Sequence, residues 1–145
     1  CLMFYLGRFE DRLSNWAKFR LTLESSDTPF LDVLAYYDKA PRVSINTDPW
    51  NQKVWPGPWE LINENQYCSF CIMLGICYTL QLTERFSKSN FEIHIAKDNI
   101  NSSTHYYILV DDTSIIGYED GKVIRKDELP ENIYSQQLYS MPQLQ

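Results

Sequence analysis

The run from Phe70 to Leu82 limits more than any other feature what this chain can fold into. Phe70, Ile72, Met73, Leu74, Ile76, Leu80 and Leu82 cover too much of a helix circumference for a surface helix. They predict a central, buried helix over about residues 66–85. Gly75 inside it permits close approach of a neighbouring element. Cys68 falls at the start of this helix, where unpaired N–H groups and partial positive charge favour thiolate over thiol. The same N–H groups could hold an oxyanion.

A helix buried on all sides needs elements to surround it, and a chain of 145 residues is long enough to supply one core. Apolar residues at 44% and aromatics at 14% place the chain among globular proteins rather than disordered tails. The net charge of −6 comes with Lys and Arg scattered along the chain, which leaves no footprint for a phosphate backbone and excludes nucleic acid as the expected partner. No apolar run approaches the ~20 residues of a membrane span. The opening Cys1-Leu2-Met3-Phe4-Tyr5-Leu6 is too short and lacks the flanks of a signal peptide, so no membrane partner is expected. Three of the four cysteines, Cys68, Cys71 and Cys77, crowd one helix instead of spreading as a disulfide framework would. That usage points to a reducing, cytoplasmic setting.

The expected organisation is a single domain over residues 1–145, mainly helical through 8–85 and an antiparallel sheet through 90–139. Residues 8–23 read as a helix on Phe9, Leu13 and Trp16. Asp27 or Thr28 can cap a second one, with Pro29 at its first position, a stripe of Phe30, Val33, Leu34 and Tyr37, and Pro41 beyond its end. Residues 42–58 hold Pro49, Pro56 and Pro58 together with Trp50 and Trp55, and read as a loop packed against the domain. Pro58 starts a short helix through Trp59 to Asn63. Phe91 to Ile95 alternates with period two, residues 105–110 and 115–118 follow as strands, and Glu119-Asp120-Gly121-Lys122 is a tight turn into Val123-Ile124. The last fifteen residues hold a short strand and a polar tail. Helices first and then an antiparallel meander is the α+β arrangement.

Thiol attack on a carbonyl needs an ionisable cysteine, a base, a group that orients the base, and donors for the oxyanion. Cys68 is the candidate nucleophile and His105, which opens a strand, the candidate base. Glu119 or Asp120 could orient it, and Trp59, Asn63 or Gln66 could supply the oxyanion or cleft donors. His105 could equally be an edge or capping residue, and Asp120 beside Gly121 a turn residue. Cys71 and Cys77 read as packing residues, and His94, beside Glu92, as a solvated strand residue. Cys68-Ser69-Phe70-Cys71 has the spacing of a dithiol redox site, but such sites follow a strand and carry Gly or Pro between the thiols. Only His94 and His105 could complete a zinc site. Neither a metal nor another cofactor is therefore expected. The leading expectation is thiol-dependent acyl transfer or amide hydrolysis on a peptide or protein substrate. The alternative is a non-catalytic interaction module that uses the Trp- and Pro-rich loop 48–59 as a binding surface.

Cys68-x-Phe70-Cys71-x-x-Leu74 and His105-Tyr106-Tyr107-x-x-Val110 resemble the nucleophile and histidine segments of the transglutaminase-like superfamily. The resemblance implies a papain-like α+β core over about residues 60–125, with the cysteine on the central helix and histidine and acid on adjacent strands. Tyr106 stands where that family has a small residue, and no Asp sits in the family's strand-end setting. Ala40-Pro41, Asp48-Pro49-Trp50, Trp55-Pro56-Gly57-Pro58-Trp59-Glu60-Leu61-Ile62, Tyr67-Cys68 and Tyr78-Thr79-Leu80 are similar to an uncharacterised family from marine phages and environmental sequences. That likeness implies a viral or metagenomic origin and no particular activity.

Overall fold

Proline starts two of the helices. The computed structural model describes residues 3–43, 47–119 and 121–144. Helix α1 spans Phe9–Ser25, α2 Pro29–Tyr37, α3 Pro58–Glu64 and α4 Ser69–Gln81. Pro29 and Pro58 stand at the first positions of α2 and α3, where a missing N–H costs nothing and a fixed φ favours the helix. Asn65 stops α3 in the left-handed conformation (φ 53°). The chain then runs extended through Tyr67, whose N–H donates to the Pro41 carbonyl at 3.0 Å and whose carbonyl accepts from the Val43 N–H at 3.1 Å. This parallel bridge delays α4 to Ser69, later than the apolar pattern predicts, and leaves Cys68 as its N-cap. At the other end α4 stops near Leu82, where the Thr83 hydroxyl donates to the Leu80 carbonyl at 2.7 Å. The N–H groups of Glu84 and Arg85 donate to the Glu24 carboxylate at 2.8 and 3.0 Å, which fastens that exit to α1.

Helix α4 is buried along nearly its whole length, as expected of a central helix. Helix α2 packs against it. A β-carbon added at Gly75 would lie 2.6 Å from Tyr37 Cε1, so glycine is what allows the two helices this separation. The Trp16 indole donates to Thr79 Oγ1 at 2.9 Å, and Thr79 donates to the Gly75 carbonyl at 2.7 Å. The Tyr37 hydroxyl, 3.0 Å from Thr79 Oγ1, is thereby left to donate. The polar tips of Trp16, Tyr37 and Thr79 are thus all paired in this apolar centre, as burial requires. Arg12, also buried, donates to the carbonyls of Leu6, Ile62 and Asn63 and ties α1 to the end of α3.

The sheet contains β1 (Phe91–Asp98), β2 (Thr104–Val110), β3 (Ser114–Ile116), β4 (Val123–Arg125) and β5 (Ile133–Ser140) in the order β4-β3-β2-β1-β5, with antiparallel neighbours. The first four make the expected meander. The expected short terminal strand is longer than read and returns to pair with β1. Between Ile95 and Ala96 the β1–β5 register slips, leaving Gln136 as a bulge.

Strand alternation gives the sheet two unlike faces. Phe91, Ile93, Tyr106, Ile108, Val110 and Ile116 point into the helical layer. Ala96, Tyr107, Leu109 and Ile115 point the other way, where Tyr118, Ile124, Leu129 and Ile133 cover them in a second, smaller cluster. The outer face is therefore buried too. His94, expected in solvent, is 6% exposed: its ring stacks on Tyr107 and its nitrogens meet Ser135 Oγ at 2.8 Å and Glu92 Oε1 at 3.0 Å.

Candidate functional site

Cys68 sits where an N-cap residue sits, with extended backbone (φ −82°, ψ 172°) and its side chain over the first turn of α4. The backbone N–H of Cys71 donates to Cys68 Sγ at 3.4 Å, as the N–H at the third helical position does to a capping oxygen. Burial pushes the Cys68 thiol up, and the backbone N–H groups of Thr47, Cys71 and Phe70 with the Cys71 side chain outweigh it, leaving the thiol below its ordinary range. Three per cent of Cys68 is exposed, so this activated thiol is roofed over. Thr47 forms part of the roof, its hydroxyl lying 3.2 Å from Cys71 Sγ. Burial pushes Cys71 up to about 11, and Cys77, sealed in the core, rises further.

His105 opens β2 as expected, but its side chain lies on the outer face. Its cross-strand partner is Ala96, and its same-face neighbours are Tyr107 and Leu109, all of the outer cluster. The ring meets Ser103 Oγ at 3.0 Å and packs against Tyr118 with centroids 5.4 Å apart. The β2 residue that faces α4 is Tyr106. Its ring lies edge-on to Phe70 at 5.2 Å, and burial, then the charges of Cys68 and Asp48, raises its pKa. With His94 on the outer face as well, neither of the chain's two histidines shares a face with Cys68.

His105 and Glu119 do come together at one place. They border a cavity of about 310 Å³ at the end of the sheet, whose wall includes Ser69, Met73, Tyr106 and Tyr118. Close packing at its base depends on Gly117 (φ 89°), where a β-carbon would stand 2.5 Å from Met73 Sδ. Cys68 adjoins this cavity through Ser69 and does not line it. Glu119 accepts the Lys122 N–H at 3.2 Å in the expected turn, and its carboxylate pairs with Lys122 Nζ at 3.2 Å. Asp120 lies outside the described residues.

The expected oxyanion residues are spread out. Trp59 is 52% exposed and packs edge-on against Trp16 at 5.6 Å. Asn63 is exposed and gives its carbonyl to Arg12, and Gln66 is exposed beside the Tyr67 bridge. The donors directed at the thiol are backbone groups: the N–H groups of Phe70 and Cys71 are the helix-start donors that the sequence predicts, and that of Thr47 is not. Thr47 and Tyr106 are the neighbours that sequence reading missed. The alternation of β2 could have found Tyr106, but nothing local marks Thr47.

The loop over Cys68 divides in the same way. Trp55 is half-buried against Phe70 and Tyr139 at 5.0 and 4.7 Å, and its indole donates to the Asp48 carbonyl at 3.2 Å. Trp50 is 53% exposed. Among the described residues no group of three or more His, Cys, Asp or Glu side chains could hold a metal ion, and no helix is long and apolar enough to cross a membrane.

No family model matches the chain, and no curated protein is similar to it at a significant level. Among solved structures the chain is similar to calcium-bound LapG of Legionella pneumophila, with a TM-score of 0.64 at 15% identity over 95% of this chain and 78% of that one. LapG is a cysteine protease of transglutaminase-like fold. Four helices against a five-stranded antiparallel sheet, arranged as in LapG, give this chain the papain/transglutaminase-like α+β fold.

Proposed function

We propose that this chain is an interaction module built on a cysteine-protease fold, with the Trp- and Pro-rich loop 48–59 as its binding surface. One observation carries the reading: Tyr106, and no imidazole, is the β2 side chain on the face of Cys68. A phenol whose pKa is raised is a poor base near neutral pH, because it already holds its proton tightly. The narrow access to Cys68, 3% exposed, agrees, since a polypeptide substrate needs a wider approach to its nucleophile than a small molecule does. The exposed rings of Trp50 and Trp59 supply aromatic anchors of the kind that dominate binding surfaces. A fold does not oblige its members to share a reaction.

The second reading is thiol-dependent acyl transfer or amide hydrolysis by Cys68, with His105 as base and Glu119 or Asp120 as orienter. It is favoured by the cavity that His105 and Glu119 border beside Ser69, and by the lowered pKa of Cys68. The deciding experiment follows iodoacetamide labelling of Cys68 against pH in the parent chain and in His105→Ala, alongside turnover of a fluorogenic peptide library. For the interaction module, the labelling profile is unmoved by His105→Ala and no peptide is cleaved. A profile moved to higher pH, with turnover that Cys68→Ala abolishes, establishes the enzyme instead.

A further inference from the structure

We infer that Cys68 and Cys71 form a dithiol site that a small disulfide converts to a Cys68–Cys71 disulfide. The inference is independent of the proposed function. Cys68 is the N-cap of α4 and Cys71 its third residue, the two positions whose side chains reach each other's backbone N–H in a capping box. Here both are thiols, and the Cys71 N–H donates to Cys68 Sγ at 3.4 Å. Of the two objections that the sequence raises against redox chemistry, the structure removes one. The lead-in to Cys68 is extended backbone, held in a parallel β-bridge between Tyr67 and Arg42.

The chemistry balances within the pair and its oxidant. The Cys68 thiolate attacks one sulfur of a low-molecular-weight disulfide, whose S–S bond breaks and releases one small thiolate. Cys71 then attacks the Cys68 sulfur and displaces the second small thiol, which leaves with the proton from Cys71. The pair is oxidised by two electrons, and the small disulfide is reduced to two thiols. The division of labour is built in: Cys68 lies below the ordinary thiol range, while burial holds Cys71 up at about 11. The hydrogen bond and charge of Cys68 add to that rise, so Cys71 is relieved of both once Cys68 carries the mixed disulfide. Exposures of 3% and 5% restrict the oxidant to a small molecule. Cys77 at 0% exposure, hydrogen-bonded to Gln81 at 3.5 Å, is an internal control.

The test equilibrates the folded parent chain in buffers of rising oxidised-to-reduced glutathione ratio. Acid quenching, alkylation and fragment mass spectrometry then locate the bonds. The expected product has lost two hydrogens between Cys68 and Cys71 while Cys77 takes the alkyl group, with at least about tenfold less of any Cys77 pairing. Cys71→Ser, folded by circular dichroism, should trap glutathione on Cys68; if it fails to fold, the parent chain alone carries the test. Stable glutathione on Cys68 in the parent, or thiols that stay reduced until urea unfolds the chain, would overturn the proposal.

Discussion

The two faces of the sheet carry unlike chemistry. The inner face carries the phenol of Tyr106 and meets α4, whose first turn holds the thiols of Cys68 and Cys71. The outer face carries the imidazoles of His94 and His105, each occupied by hydroxyl or carboxylate neighbours. A β-strand changes face at each residue, so the distance between Tyr106 and His105 in chemistry is larger than their adjacency suggests. At the capped thiol of Cys68, the β2 side chain that packs on the first turn of α4, against Phe70, is the phenol of Tyr106. The cap serves helix α4 whether or not a substrate ever arrives.

The inner face should be the less forgiving one. Gly75→Val would drive a side chain into Tyr37, and overpacking there should cost about 3 kcal/mol, read as a lower urea midpoint at unchanged slope. An unchanged midpoint would mean that α2 and α4 can separate freely. Tyr106→His moves an imidazole to the inner face, and should speed iodoacetamide labelling of Cys68 at pH 7 by about tenfold, as one unit of pKa depression would. His105→Ala should leave that rate unchanged; if it slows labelling instead, the two faces are coupled. On the outer face, Ser135→Ala removes the partner of a buried His94 nitrogen and should cost about 1 kcal/mol by urea unfolding.

The smallest expected effect is alkaline. Cys71 has its folded pKa raised to about 11, above the ~8.5 of a free thiol. Its contribution is therefore complete below the unfolded value and is lost as pH rises from there through about 11. Stability measured across that window should fall less steeply in Cys71→Ala. Equal slopes would assign the alkaline loss to other groups.

Much of the frame was legible in the chain. Pro29 and Pro58 marked helix starts because proline's lost N–H is free only there, and Gly75 marked the approach of Tyr37. The turn at Glu119 to Lys122 was legible for a similar reason, since Gly121 accepts the positive φ that a tight hairpin needs (69°). Which face of β2 meets the helices was not legible. Ile108 and Val110 alternate with Tyr107 and Leu109, so both faces are apolar and period two has no polar side to report. The burial of His94 was hidden for the same reason, because the cover over the outer face comes from Ile124, Leu129 and Ile133, far along the chain. The late start of α4 depends on the bridge between Tyr67 and Arg42, a long-range pairing that helix periodicity does not encode.

The return of β5 to the side of β1 has a consequence for the order of folding. The hairpins β1–β2, β2–β3 and β3–β4 close over short connections, whereas β1 meets β5 only through pairs no nearer in sequence than Asp98 and Ile133. Loops of that length close late, because their entropy is lost before any pairing offsets it. On the ribosome, β1 must therefore wait with one backbone edge unpaired while the following strands are made. That interval is when a second nascent chain could pair with it, so misassembly during synthesis should begin at β1.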